Sequence, residues 1–397
     1  MFKYIPAHSP GTFEGYKIDG KPLEWWNKDN PFFKYPYLLV SAFMGVQSKW
    51  TREENVKEKD VIVFGDSGGF QAVTLGKVQP TISVLKWLER NCDIGFTLDY
   101  SPFEKVENFK KGKRGEKGSN KATKNIISLK KFKENMEKTY QNNLVYEKER
   151  DKNSGLKIYN VIHGNDKERL DMWYGRMKDF KFEGYAVGSQ PPYGNPIKQV
   201  IGCLYLWDKG HRTNQHIFAI SGHLTFPALC YLGKYFENLT ADSSSYAIGR
   251  MYCSFMHPNK ISTIIPFGNR GVKEGLSNSK QLPCNCEVCS YINKQYDKWN
   301  FYGEIKATEQ NILTLHNLNI MIKYVDMLNE LVKDKPKFIE YINKTFKKND
   351  KELLLKTIDF IDCVVEKGFD VGYDKYINEL QFEEKITTKA HKGLWEF

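Results

Sequence analysis

An eight-stranded (β/α)8 TIM barrel of the α/β class is the fold this sequence predicts, on three observations. Eight β-rich runs fall between residues 37 and 265, helix-sized segments separate them, and acidic residues stand where three of the runs end. At 397 residues with 41% hydrophobic content, the chain can bury a large core. Such a barrel needs about 250 residues.

The runs come in order. Tyr37–Phe43 and Val61–Phe64 are almost continuously apolar, as strands covered on both faces are. Ile94–Leu98, Lys157–Ile162, Gly184–Val187, His216–Ile220, a short run ending near Ala241, and Ile261–Ile265 follow. A doubly wound open sheet shares this alternation, but no Gly-x-Gly-x-x-Gly follows the first run, so its dinucleotide-binding form has no support. The barrel is expected over residues 1–270. From Pro336 the pattern turns to charged amphipathic helices, around Phe338-Ile-Glu-Tyr-Ile342 and Leu353–Ile361. These predict a C-terminal helical segment over 336–397, packed on the barrel.

Reactive side chains of such barrels collect at the C-terminal ends of the strands. Asp66 follows the second run, Asp99 the third and Asp242 the seventh. Runs two and three adjoin, and the seventh approaches from across the mouth, so the three acids can converge on one ligand. Each also has a plainer role. Asp66-Ser-Gly-Gly is turn chemistry, Asp99 can cap its strand before Ser101-Pro102, and Asp242-Ser-Ser-Ser is an ordinary helix N-cap.

A net charge of +11 favours a polyanionic partner. The loop Lys105–Lys121, with Lys110-Lys-Gly-Lys-Arg-Gly-Glu-Lys-Gly118, is either a solvated insertion or a phosphate grip on the active face. No basic-then-apolar leader opens the chain, and no apolar run approaches the roughly 18 residues of a membrane helix. A soluble, cytoplasmic protein is expected. Five cysteines (Cys92, Cys203, Cys230, Cys253, Cys363) lie singly, which suits reduced thiols and excludes a disulfide framework.

The other three cysteines are clustered in Cys284-Asn-Cys286-Glu-Val-Cys289, and His316 follows after 26 intervening residues on the helical run Glu309–Lys323. Three thiolates and one imidazole make a closed tetrahedral zinc site with no open position, hence a structural Zn2+ in a zinc-binding subdomain over 271–335. The competing redox use of Cys-x-x-Cys is disfavoured by the third cysteine and by the absence of a strand-helix setting. Spacing alone does not make His316 the fourth ligand.

Together these segments resemble the tRNA-guanine transglycosylase superfamily over residues 37–320. Asp66-Ser-Gly-Gly-Phe-Gln71 is similar to its Asp-Ser-Gly-Gly-Phe/Tyr-Gln motif. Asp93-Ile followed by Asp99 resembles its base-recognition strand, Gly184-Tyr-Ala-Val-Gly188 its Gly-Tyr-Ala-Ile-Gly segment, and the cysteine cluster with His316-Asn-Leu its zinc signature. Each motif is short; their shared order is specific.

The resemblance implies Asp242 as nucleophile, Asp66 as general acid and base, and Zn2+ held by Cys284, Cys286, Cys289 and His316. It implies a base pocket of Asp99, Phe70, Gly69, His163, Gly188 and Ser189. Asp99 would accept the N1–H and N2–H groups of guanine, Phe70 would stack on the base, and Gly188 and Ser189 would bring backbone to its edge. Two positions depart from the family pattern. His163-Gly164 stands where many members have Gln-Gly, and the run His216-Ile-Phe-Ala-Ile220 lacks a Met that often walls the pocket.

Asp242-Ser-Ser-Ser-Tyr-Ala247 looks closer to the archaeal-type nucleophile segment than to the bacterial one, yet the C-terminal RNA-binding domains of archaeal-type enzymes have no counterpart here. That combination resembles the branch from phages and bacterial genomic islands that places 7-deazaguanines in DNA. In a phage-encoded case the location is the host cytoplasm. The implied partners are DNA in preference to tRNA, a free 7-deazaguanine base of preQ0 type and, by family analogy, a second copy of the chain in a homodimer. Queuosine- or archaeosine-type tRNA modification, a non-catalytic nucleic-acid-binding subunit and a barrel acting on free nucleosides are the rival readings.

Overall fold

Eight parallel strands close on themselves in the computed structural model, which describes residues 1–69, 79–102, 128–188, 195–247, 254–258, 260–266, 284–295 and 307–380. In chain order the strands are β1 (Phe2–His8), the short hairpin β2 (Lys17–Ile18) and β3 (Lys21–Pro22), β4 (Tyr37–Ser41), β5 (Ile62–Asp66) and β6 (Ile94–Phe96). Then come β7 (Lys157–Ile162), β8 (Gly184–Val187), β9 (Asn214–Ile217), β10 (Asn238–Ser243) and a second hairpin, β11 (Ser254–His257) with β12 (Lys260–Pro266). The barrel runs β1-β10-β9-β8-β7-β6-β5-β4 and closes where Ala7 and His8 of β1 pair with Leu39 and Val40 of β4.

The strand count agrees with the sequence reading, but two members differ. The first barrel strand is β1, a segment that the pattern of apolar runs had left out. Pro6 lacks an N–H for the ladder and Lys3 interrupts the apolar run, which hides the strand. The run Ile261–Ile265 is not a barrel strand; it lies in β12, antiparallel to β11. Asp66 therefore ends the third barrel strand, Asp99 follows the fourth and Asp242 lies near the end of the eighth.

Alternation along the strands fills the interior with Ile5, Leu39, Phe64, Phe96, Tyr159, Val161 and Ala186. The same inward parity, continued two residues toward the C-terminal rim, leads from Phe64 to Asp66, from Val161 to His163, from Ala186 to Gly188 and from Thr240 to Asp242. Outward positions meet helices. A Cβ on Gly65 would lie 2.2 Å from Leu88 Cδ2, so β5 and the helix Thr81–Asn91 approach closely only with glycine there. Trp173 of the helix Lys167–Met177 donates its indole N–H to Val161 O on β7 at 3.1 Å.

The C-terminal helices Lys335–Thr345 and Lys348–Lys367 pack against the outer layer. Asp362 accepts hydrogen bonds from Tyr231 and Tyr235 and an ion pair from Lys335, tying those helices to the barrel side. The helix Ala307–Leu331 is buried along most of its length, and its asparagines join it to other elements. Asn329 donates to Phe2 O, Asn311 to Thr12 O, and Asn317 both accepts from Met256 N–H and donates to Tyr246 O. Among the described residues, no helix is long and apolar enough to cross a membrane.

Candidate functional site

Asp66 ends β5 on the inward face, beside Ser41 of β4. Burial, and then the negative charges of Asp99 and Asp242, push its carboxyl up from 3.8 to about 7, against the pull of the Gly68 N–H. Those two charges reach Asp66 only because the three strand ends share one mouth. Gly68 adopts φ +85, a left-handed turn that brings the chain back against Phe43. Gly69 then meets Asp99 so closely that a Cβ would lie 2.5 Å from its backbone oxygen.

Asp99 is held from two sides. His163 Nε2 lies 2.7 Å from Asp99 Oδ2, and Ser67 Oγ donates to Oδ1 at 3.4 Å. The His163 ring is buried edge-on to Trp173, with centroids 4.7 Å apart, and a Cβ on Gly188 would sit 2.3 Å from its Cε1. Gly69, Asp99, His163 and Gly188 are thus contiguous. With Nε2 against Asp99 Oδ2, the His163 ring braces that carboxylate. Phe70, Ser189 and the Lys105–Lys121 loop lie outside the described residues.

Asp242 sits on the inward side of β10, in register with Ile5 of β1. Its Oδ1 lies 3.1 Å from His216 Nε2 and accepts the Ala219 backbone N–H at 2.9 Å. His216 is fully buried on β9, between Phe96 and Phe218 at ring separations of 4.5 and 5.1 Å. Neither His216 nor Ala219 stood out in the sequence as a site residue. The signal was the parity of β9, which puts His216 on the face that Phe218 shares.

Asp93, placed by the motif beside the recognition strand, does other work. It accepts from Arg52 Nη1 at 2.5 Å and from Val63 N–H at 2.8 Å, joining the start of β6 to β5 and to the helix Arg52–Asn55.

The second centre lies outside the barrel. Cys284, Cys286, Cys289 and His316 are all buried, and their donor atoms lie within 4.8 Å of one another, close enough to hold a metal ion. His316 Nδ1 faces the sulfurs of Cys289 at 3.1 Å and Cys286 at 3.3 Å, while Nε2–H donates to Met256 O at 2.9 Å. That outer hydrogen bond fixes the tautomer and leaves Nδ1 as the ligand atom. Phe255 stacks on the imidazole at 3.9 Å, so hairpin β11–β12 carries the floor of the centre. Four protein donors are enough to close a tetrahedral site without an open position.

No protein-family model matches the chain, and no curated protein matches it.

Proposed function

We propose that this protein is a nucleic-acid guanine transglycosylase, a pentosyltransferase that exchanges guanine in DNA for a free 7-deazaguanine base. The observation that supports this reading most is the convergence of three acids with unlike surroundings at one barrel mouth. Asp66 is pushed up to about 7 by burial and by the charges of Asp99 and Asp242, so it is poised to hold a proton near neutrality, whereas Asp242 Oδ1 lies against His216 Nε2 and the Ala219 N–H. Paired carboxyl groups in unlike environments are what acid-assisted displacement at a sugar carbon requires.

In the first half-reaction the Asp242 carboxylate attacks C1′, the C1′–N9 bond breaks, and its electron pair leaves with guanine. Asp66 gives that base a proton, lowering the cost of its departure. In the second half-reaction the incoming base loses a proton to Asp66, its nitrogen attacks C1′, and the ester to Asp242 breaks. The covalent sugar ester keeps the strand intact while the bases trade places. Asp99 accepts the N–H groups of the guanine edge, with His163 and Ser67 fixing its plane. A base buried in a duplex must leave its stack to reach this mouth.

For the metal centre, three thiolates and one imidazole suit zinc, which would tie the stretch Cys284–Cys289 to the helix Ala307–Leu331 through Cys284, Cys286, Cys289 and His316, beside the His316 hydrogen bond to Met256 of β11. DNA is favoured as polymer by the form of the segment Asp242-Ser-Ser-Ser-Tyr-Ala247, and the net charge of +11 suits either nucleic acid. The test supplies labelled guanine with duplex DNA or with tRNA. Label in DNA supports the proposal, label in tRNA alone moves the activity to RNA, and label in neither defeats it.

A further inference from the structure

We propose that His216, set by Thr240 and assisted by the Ala219 N–H, selects which oxygen of Asp242 attacks and drives that carboxylate out again in the second half-reaction. The inference rests on the reading of Asp242 as the nucleophile.

Both donors reach the same oxygen. His216 Nε2 and the Ala219 N–H converge on Oδ1, and among the described residues no hydrogen bond reaches Oδ2. A carboxylate oxygen has two lone pairs in its plane, so Oδ1 is filled and Oδ2 is left for the sugar. Ala219 adopts φ +56, a left-handed conformation that strains a residue with a side chain. Such conformations persist where the surroundings over-determine them, and here the turn aims one N–H at Asp242.

Thr240 governs the imidazole. Its Oγ1 lies 2.8 Å from His216 Nδ1 and 3.2 Å from Gln215 O, and it has one proton to give. A carboxylate only accepts, so Nε2 must carry a proton. With the Thr240 proton on Nδ1, His216 is the neutral Nε2–H tautomer; with that proton on Gln215 O, Nδ1 needs a proton of its own. Phe64, Phe96 and Phe218 surround the ring and fix its plane.

The consequence differs between the two halves of the reaction. When Oδ2 bonds to C1′, Oδ1 becomes the ester carbonyl and loses negative charge. When the ester breaks, charge returns to the carboxylate, and two donors already aimed at Oδ1 stabilise it. The donors therefore make Asp242 a better leaving group. They do not make it a stronger nucleophile.

The test compares wild type with His216→Leu, His216→Gln and Thr240→Val. Each is incubated with the polymer that wild type modifies, and two quantities are read: turnover with incoming base, and the fraction of chain covalently bound to polymer after denaturation. Loss of one hydrogen bond to a charged group predicts turnover about ten- to a hundredfold lower in His216→Leu, with a larger covalent fraction. His216→Gln, which restores an N–H, should recover part of the rate, and Thr240→Val should fall between. If His216→Leu is slow but its covalent fraction is unchanged or smaller, the ring only supports the fold and the proposal is overturned. Thr240→Val and His216→Gln decide the matter by the same two readings should His216→Leu fail to fold. A wild-type chain that forms no covalent species on any polymer defeats the transglycosylase reading itself, a result distinct from a normal wild type with indifferent variants.

Discussion

His163 and Asp99 are joined by a hydrogen bond of 2.7 Å, 64 positions apart in the chain, with the imidazole wedged between Trp173 and the bare face of Gly188. The ring fixes the direction in which Asp99 presents its remaining lone pairs. His163→Ala should therefore act through Asp99, raising KM for guanine about tenfold or more while changing kcat less. Asp99→Asn should do worse, because an amide would set N–H against N–H at the guanine edge. Steady-state exchange of labelled guanine checks both, and an unaltered KM in His163→Ala would end the bracing role.

Asp66 supplies a pH signature. In the fold its carboxyl titrates near 7 instead of 3.8, so between those values the folded chain keeps a proton that the unfolded chain has released. Stability therefore declines as pH rises from about 4 to about 7, by at most about 4 kcal/mol. Glu14 leaves most of this window clear: burial opposes its ionisation, but the hydrogen bond and charge of His8 hold it near 2, so its contribution is full above 4.5 and is lost as pH falls from there to about 2. Urea melts of wild type and Asp66→Asn should diverge in slope across this window. Formation of the covalent species, which uses protonated Asp66, should halve near pH 7 and fall about tenfold per unit above it. Asp66→Asn should be slow, by about a hundredfold or more, and flat.

Much of this architecture was legible because it is written locally. The buried strands read as apolar runs, the metal centre keeps three of its four donors within six residues, and the acids stand directly after the runs that carry them. β1 was not legible, since Pro6 and Lys3 break its pattern and only its pairing with β10 and β4 makes it a strand. The imidazole partners were hidden for a different reason. His216 and Asp242 are 26 positions apart, and that they meet follows from β9 and β10 being neighbours in a stated register. Inward parity would have selected His216, His163 and Asp242 together, but parity has no meaning until a strand's register is known.

The close approach at Gly69 yields a steric prediction. A Cβ there would lie 2.5 Å from the Asp99 backbone oxygen and 2.6 Å from Oδ1, and neither atom ends a long flexible side chain. Gly69→Ala should cost about 1–3 kcal/mol and depress guanine exchange more than its stability loss explains, because Asp99 is displaced. Gly175 is the control. It lies in the helix Lys167–Met177 with nothing near its Cβ position, so Gly175→Ala should stabilise by about 0.5–1 kcal/mol and leave exchange unchanged. Denaturant midpoints and exchange rates on the same preparations separate the two.

The metal centre should govern folding without touching chemistry. Its four donors come from two separated stretches, and its outer hydrogen bond runs from His316 to Met256 on β11, so an ion there closes a long excursion of chain. Elemental analysis should find about one zinc per chain, and none bound tightly in Cys286→Ser or His316→Ala. Either change should destabilise by more than about 4 kcal/mol, since it leaves buried thiols and an imidazole without the ion that joins them. Chelation of the wild type should lower Tm and release zinc in parallel. Exchange activity should decay only as fast as the chain unfolds, because a closed donor set takes no part at the barrel mouth. Activity lost ahead of the unfolding signal, by circular dichroism on the same sample, would instead make the metal a participant in catalysis.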